Sequence, residues 1–181
     1  MKIVENEIMI REANKLDAPF LEKWWNDGLV MEHAGFPLGL NINMDDIEKR
    51  IEKNKIGSSK LCMLEVEGEI IGETSFRIFT GYAEIGIKIC EKSFQNMGLG
   101  TKFLKMLIEY LFLKLPGIEK IVLDTNLKNL RAQHVYEKLG FKKVRVNVDS
   151  WKNQVGVWQS SVDYELTKDY YNQLRKDKEN G

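Results

Sequence analysis

From its N-terminus the chain alternates between two hydrophobic periods. "EIMIREA" places Ile8 and Ile10 on one side of a short strand, a period of two. The spacing then lengthens. Phe20, Leu21, Trp24 and Trp25 recur at helical intervals, with Asp17 as N-cap, Pro19 in the first turn and Gly28 as the stop. Beyond the loop "EHAGFPLGLN", a second helix, "MDDIEKRIEKN", is expected between Asn43 and Gly57. Its acids lead and its bases trail, as the helix dipole favours.

Period two returns in "SKLCMLEV", "EIIGETSFRIF" and "YAEIGIKIC". Glu67-Gly68 and Thr80-Gly81 between them are tight-turn signals, so the three read as consecutive antiparallel strands. A long helix follows, with Leu99, Phe103, Met106, Leu107, Tyr110 and Leu111 on its apolar stripe and Lys102, Lys105 and Glu109 opposite. "EKIVLDT" reads as a buried strand, and "NLRAQHVYEKLG" as a helix with Asn129 at its N-cap and Gly140 just past its end. "FKKVRVNV" and "GVWQSSVDYELT" form a last strand pair around a polar loop. The order predicts an α/β (α+β) fold: a mixed, mostly antiparallel sheet of about seven strands, with helices on both faces.

Composition narrows the classes. With 181 residues, 43% of them hydrophobic, the chain suits one domain over residues 1–166. Residues 167–181 are expected as a tail, a short helix or disordered. Basic and acidic residues number 27 each, so no overall field favours nucleic acid or an anionic membrane. No signal sequence and no bilayer-length apolar run is seen, and a cytoplasmic location is expected. The cysteines, Cys62 and Cys90, and the histidines, His33 and His134, are too scattered for a structural metal site. The oligomeric state is expected to be monomer or homodimer.

The candidate chemistry centres on "FQNMGLGTKF", Phe94 to Phe103. A phosphate loop of the Walker type needs a Lys-Ser/Thr pair right after its second glycine. Here Gly100 is followed by Thr101 and Lys102. A dinucleotide fingerprint needs a third glycine where Phe103 stands. What remains is Gln95-x-x-Gly98-x-Gly100 between a strand and a helix. Successive N–H groups at such a helix start cradle a pyrophosphate, and glycine is needed where a Cβ would strike the ligand.

With "AEIGIKIC" before this turn and the N-x-x-A-x-x-x-Y-x-x-x-G-F pattern from Asn129 to Phe141 after it, the sequence resembles the GNAT superfamily of acyl-CoA-dependent N-acetyltransferases. The likeness runs from about residue 7 to residue 166 and is most marked for the RimJ/RimL-like branch. It implies acetyl-CoA as co-substrate, no metal, and direct transfer of acetyl to a primary amine, a protein N-terminus or a small molecule. Coenzyme A contacts are implied at Ile87, Lys88, Ile89, Gln95, Asn96, Met97, Gly98, Leu99, Gly100, Thr101, Asn126, Asn129 and Tyr136.

The chemistry needs a neutral amine, yet a lysine amine has a pKa near ~10.4 and an α-amine near ~8. A carboxylate can take the proton directly or through water, and Glu84 matches the position of the catalytic glutamate in the family's histone-modifying members, with Glu73, Glu65 and a water-only route as rivals. Tyr136 is placed to protonate the departing thiolate. Backbone N–H groups near Ile89 or Cys90 are expected to hold the oxyanion. Trp25, His33 and Phe36 are expected to wall the acceptor site, with one of Trp24 and Trp25 in the core. Two alternatives stay open. One is a non-catalytic acyl-CoA sensor. The other is an aminoglycoside or polyamine acetyltransferase, to which Asp45, Asp46 and Glu48 offer charge.

Overall fold

A computed structural model describes residues 1–179. Eight strands form one sheet: β1 (Lys2–Glu5), β2 (Ile8–Glu12), β3 (Ser59–Val66), β4 (Glu69–Phe79), β5 (Tyr82–Ile89), β6 (Lys120–Asn126), β7 (Lys142–Lys152) and β8 (Trp158–Thr167). Their order is β1-β2-β3-β4-β5-β6-β8-β7. Only β5 and β6 are parallel neighbours. The helices are α1 (Ala18–Trp25), α2 (Gly28–Met31), α3 (Met44–Ile56), α4 (Leu99–Lys114), α5 (Leu130–Lys138) and α6 (Lys168–Glu179).

The extra strand is β1, which turns into β2 at Asn6 with a φ of 53°. Its residues are largely exposed at the sheet edge, so it carries no buried alternation to read. The start of α1 also differs from expectation. The Asp17 side chain does not cap that helix. Instead it takes two hydrogen bonds of 2.7 Å from the Arg11 guanidinium and one from the Asn14 N–H. It ties β2 to the helical layer. Gly28 does not stop α1 but opens α2, which Asp27 caps. A Cβ at Gly28 would collide with the Pro37 carbonyl, so glycine is there for a close approach.

Two cores lie on opposite faces of the sheet. Apolar residues of β2–β6 and β8, such as Ile10, Leu64, Ile85, Ile121 and Val162, meet Phe103, Leu107, Leu111 and Phe112 of α4 and Tyr136 of α5. On the other face, Leu61 and Met63 meet Leu21, Trp24 and Trp25 of α1 and Ile47 and Ile51 of α3. Both tryptophans are buried, not one of the two. The tail begins as α6, whose Tyr170 and Tyr171 rest on the larger core. Expected disorder beyond it lies outside the described residues. No helix among the described residues is long and apolar enough to cross a membrane.

Candidate active site

The site begins where the ladder between β5 and β6 gives out. Their pairing covers Tyr82–Glu84 against Lys120–Val122, yet the strands run on to Ile89 and Asn126. Beyond Glu84 and Val122 they part, and a cleft of about 1000 Å³ opens between them. Gly86, Ile87, Lys88 and Ile89 line one side, and Asp124, Thr125 and Asn126 the other. The Cys90 N–H donates to the Ile71 carbonyl of β4. Antiparallel alternation therefore turns the N–H groups of Ile87 and Ile89 away from β4, towards the gap. Ile89 can thus offer a free donor where an oxyanion would form, and Cys90 cannot.

One end of the cleft is built for anions. Gly98 sits at the N-cap of α4 with φ of 75°, and no side chain caps the helix. The first-turn N–H groups of Leu99, Gly100 and Thr101 have no intrahelical acceptor. A Cβ at Gly98 would meet nothing within 4 Å, and one at Gly100 only Ile89, at 4.0 Å. The glycines keep open space in front of these donors, which is what a pyrophosphate requires. Gln95 donates to the Ile89 carbonyl at 2.9 Å, fastening the turn to the end of β5. Facing it from the first turn of α5, Arg131 donates to Asn96 at 3.1 Å and Gln95 at 3.5 Å.

Tyr136 comes up from α5 beside the parted strands. It is buried among Phe141 and Tyr164, with ring centroids 6.0 and 5.7 Å away. Burial, then the charge of Asp124, pushes its phenol up to about 12, so it holds its proton at physiological pH. Asn129 caps α5 by accepting from the Ala132 N–H at 3.2 Å. Asn126 is committed within the protein, donating to Gln159 and accepting from the Lys128 N–H, each at 2.9 Å.

The other end is acidic. Glu73 accepts from Trp25 Nε1 at 3.0 Å and from Lys88 Nζ at 2.9 Å. Burial opposes the charge on Lys88, but the Glu73 carboxylate outweighs it and holds the ammonium above its usual range. Among the described residues Asp124 forms no ion pair. Burial and then the Asp163 and Glu84 charges raise its pKa above the ordinary carboxylate value. Glu32 and His33 complete this end. Trp151 of β7 forms a wall against Gly35, whose φ is 94°. A Cβ at Gly35 would collide with that indole.

Of the expected coenzyme residues, Ile87, Lys88, Ile89, Gln95, Gly100, Asn126, Asn129 and Tyr136 line the cleft. Asn96, Met97, Gly98, Leu99 and Thr101 form the turn behind it, with Met97 exposed. His33 lines the acceptor end, but Phe36 does not, and Trp25 acts behind Glu73. Glu84 is outside the lining. It stands one register step back, where β5 is still paired with β6, on a shallower groove of about 290 Å³ shared with Asp124, Asp163 and Glu165. Asp45, Asp46 and Glu48, on α3, do not line the cleft either. Asp124, Arg131 and Trp151 escaped the sequence reading. The first two had visible signals: an acid alternating with Lys120 and Val122, and a base two residues after the helix cap.

An acetyltransferase (GNAT) domain model matches residues 7–142. A kanamycin resistance protein of Rhizobium radiobacter is 40% identical over 63 residues, 32% of this chain and 57% of that protein. An N-alpha-acetyltransferase of Sulfurisphaera tokodaii is 26% identical over 109 residues, 53% and 64%. The chain thus spans less than two thirds of either relative. The structure of RimL, a ribosomal-protein alpha-N-acetyltransferase in complex with coenzyme A, superimposes with a TM-score of 0.83 at 19% identity. That match covers 94% of this chain and 99% of that one, and it shows a shared fold. With the domain model spanning most of the chain, from β2 to the start of β7 and including the glycine turn and the Tyr136 helix, the protein belongs to the GNAT acetyltransferase family.

Proposed function

We propose that the protein is an acetyl-CoA-dependent N-acetyltransferase that moves acetyl directly to a primary amine, as in the RimJ/RimL-like branch. One observation carries this reading. The gap between β5 and β6 joins a phosphate cradle at Gly98–Gly100 to a buried, protonated phenol at Tyr136. The residues present fit the donor: the first-turn N–H groups of α4 would hold its pyrophosphate, Ile87 and Ile89 would meet its pantetheine arm, and the Ile89 N–H would polarise the thioester carbonyl. Acetyl-CoA supplies the activated acyl group.

Within the cleft, Asp124 is our candidate for the base. It faces the gap, has no cationic partner among the described residues, and burial with the Asp163 and Glu84 charges makes it a stronger proton acceptor than an ordinary aspartate. Glu84, the expectation from the sequence, is the rival one groove further out. Tyr136 returns a proton to the leaving thiolate as the carbon–sulfur bond breaks. With Glu73 balanced by Lys88, Glu32 and Asp124 give the acceptor end a negative bias that favours an amine arriving as a cation. A cytoplasmic site of action fits two free, buried cysteines. Coenzyme A thiol release over a panel of polyamines, aminoglycosides and peptides with free N-termini, with products read by mass, tests the reading. An acetylated amine product is expected. Tight donor binding without turnover on any amine would favour an acyl-CoA sensor instead.

A further inference from the structure

We propose that Arg131 is a phosphate ligand of the acyl donor, reaching across the mouth of the cleft from the α5 side to close the anion site that α4 opens. The inference rests on the donor being a coenzyme A ester. Arg131 lines the cleft at its glycine-turn end, and among the described residues no carboxylate lies within ion-pair distance of it. Lys88, by contrast, is spent on Glu73.

The geometry of its bonds carries the argument. Only one nitrogen, Nη1, is used, and it donates to two neutral amide oxygens of the turn, those of Gln95 and Asn96. A guanidinium has five N–H donors in a planar fork. Nε and Nη2 therefore keep three donors with no partner among the described residues. A cation anchored by one nitrogen, with the edge of its fork free, suits bidentate capture of a phosphate. Its position is fixed from both sides. Asn129 caps the helix that carries it, and the turn it grips is held to Ile89 by Gln95. The turn from Phe94 to Gly100 carries no charged side chain of its own, so Arg131 brings a full positive charge to it.

Two donor phosphates could be its partner, the pyrophosphate or the ribose 3′-phosphate, and the same chemistry takes either. Calorimetry on the whole chain separates them, with coenzyme A, its 3′-dephospho form and acetyl-pantetheine as probes. Arg131→Gln is expected to weaken coenzyme A binding about tenfold and leave acetyl-pantetheine unchanged, with Arg131→Lys recovering part of the loss. A loss of equal size on dephospho-coenzyme A identifies the pyrophosphate; none on that probe identifies the 3′-phosphate. Asn96→Gly, which keeps the left-handed backbone of that residue (φ of 63°) and removes the bridge, is expected to cost clearly less. If Asn96→Gly costs as much as Arg131→Gln, or if Arg131→Gln binds coenzyme A like the wild type, Arg131 merely braces the turn and the proposal fails. A wild type that binds no coenzyme A would overturn the functional reading itself, and this inference with it.

Discussion

Gln154 donates from its side-chain amide to the Gly39 carbonyl at 2.9 Å, across 115 positions of sequence. Its amide oxygen accepts from the Leu38 N–H at 3.0 Å, and its own N–H donates to Gly35 at 2.8 Å. One residue at the tip of the β7–β8 hairpin thus pins the loop between α2 and α3, next to the Trp151 wall of the acceptor end. Gln154→Ala removes two of the three bonds. Each is worth about 1 kcal/mol net, and water replaces them in part, so the acceptor KM is expected to rise roughly 3- to 10-fold. Donor affinity should not move, because the cradle is at the other end. Initial rates against the amine found in the screen, with donor calorimetry alongside, check this. An unchanged acceptor KM would make the clasp a stability device only.

Tyr136→Phe keeps the ring against Phe141 and Tyr164 and removes only a hydroxyl, which is not hydrogen-bonded to another described residue. Thermal stability should stay close to that of the wild type. The kcat should fall on the order of 10²-fold, the usual range for losing a general acid, with donor Kd unaffected. The pH dependence adds a second reading. With the phenol pushed up to about 12, Tyr136 stays protonated through the accessible range. No alkaline loss of rate should be traceable to it below about pH 10. A descending limb that disappears in the Phe variant would show a phenol of ordinary acidity.

Gly98 and Gly100 do different work, and Gly100 gives the cleaner test. Gly98 has a left-handed backbone, so any larger residue there mixes strain with steric block. Gly100 is helical, and a side chain there would meet only Ile89, at 4.0 Å, and the open cradle. Gly100→Leu is expected to gain about 0.5–1 kcal/mol of helix propensity while filling the phosphate site. Melting temperature should hold or rise by about 2 °C as coenzyme A affinity drops at least about tenfold. Full-strength binding would move the pyrophosphate elsewhere.

The split between what was and was not legible follows the range of the contacts. Asn129, Gly98 and Gly100 announce themselves because a cap and a glycine turn are local, decided within a few residues. The three central hairpin strands were legible because Glu67-Gly68 and Thr80-Gly81 mark their turns. Trp151 against Gly35, and Gln154 against Leu38 and Gly39, join segments that no local pattern connects. Glu84 illustrates the same limit in reverse. Its place on β5 is local, but whether its side chain opens on the cleft depends on where β5 and β6 separate. Asp17 and Gly28 were read as helix punctuation, yet a tertiary partner, Arg11 or the Pro37 carbonyl, decides each.

Asp124 and Glu84 can be separated by rate and by stability together. If Asp124 takes the proton, Asp124→Asn should lower kcat/KM about 10²-fold and abolish the acidic limb of its pH profile, while Glu84→Gln stays within about threefold. The stability sign is independent of catalysis. Asp124 has a folded pKa above its unfolded value, so the folded state binds its proton more tightly, and stability is lost as pH rises through the folded pKa. Asp124→Asn removes that loss. The variant should melt higher than the wild type at pH 7, and the difference should vanish as the pH falls below the ordinary aspartate range, where both side chains are neutral. Glu84→Gln removes one of the charges that raise the Asp124 pKa, so it should shift the acidic limb of the rate profile downwards without erasing it. If instead the limb disappears in Glu84→Gln and survives in Asp124→Asn, the base is Glu84, and the outer groove with Asp163 and Glu165 becomes the path by which the proton leaves.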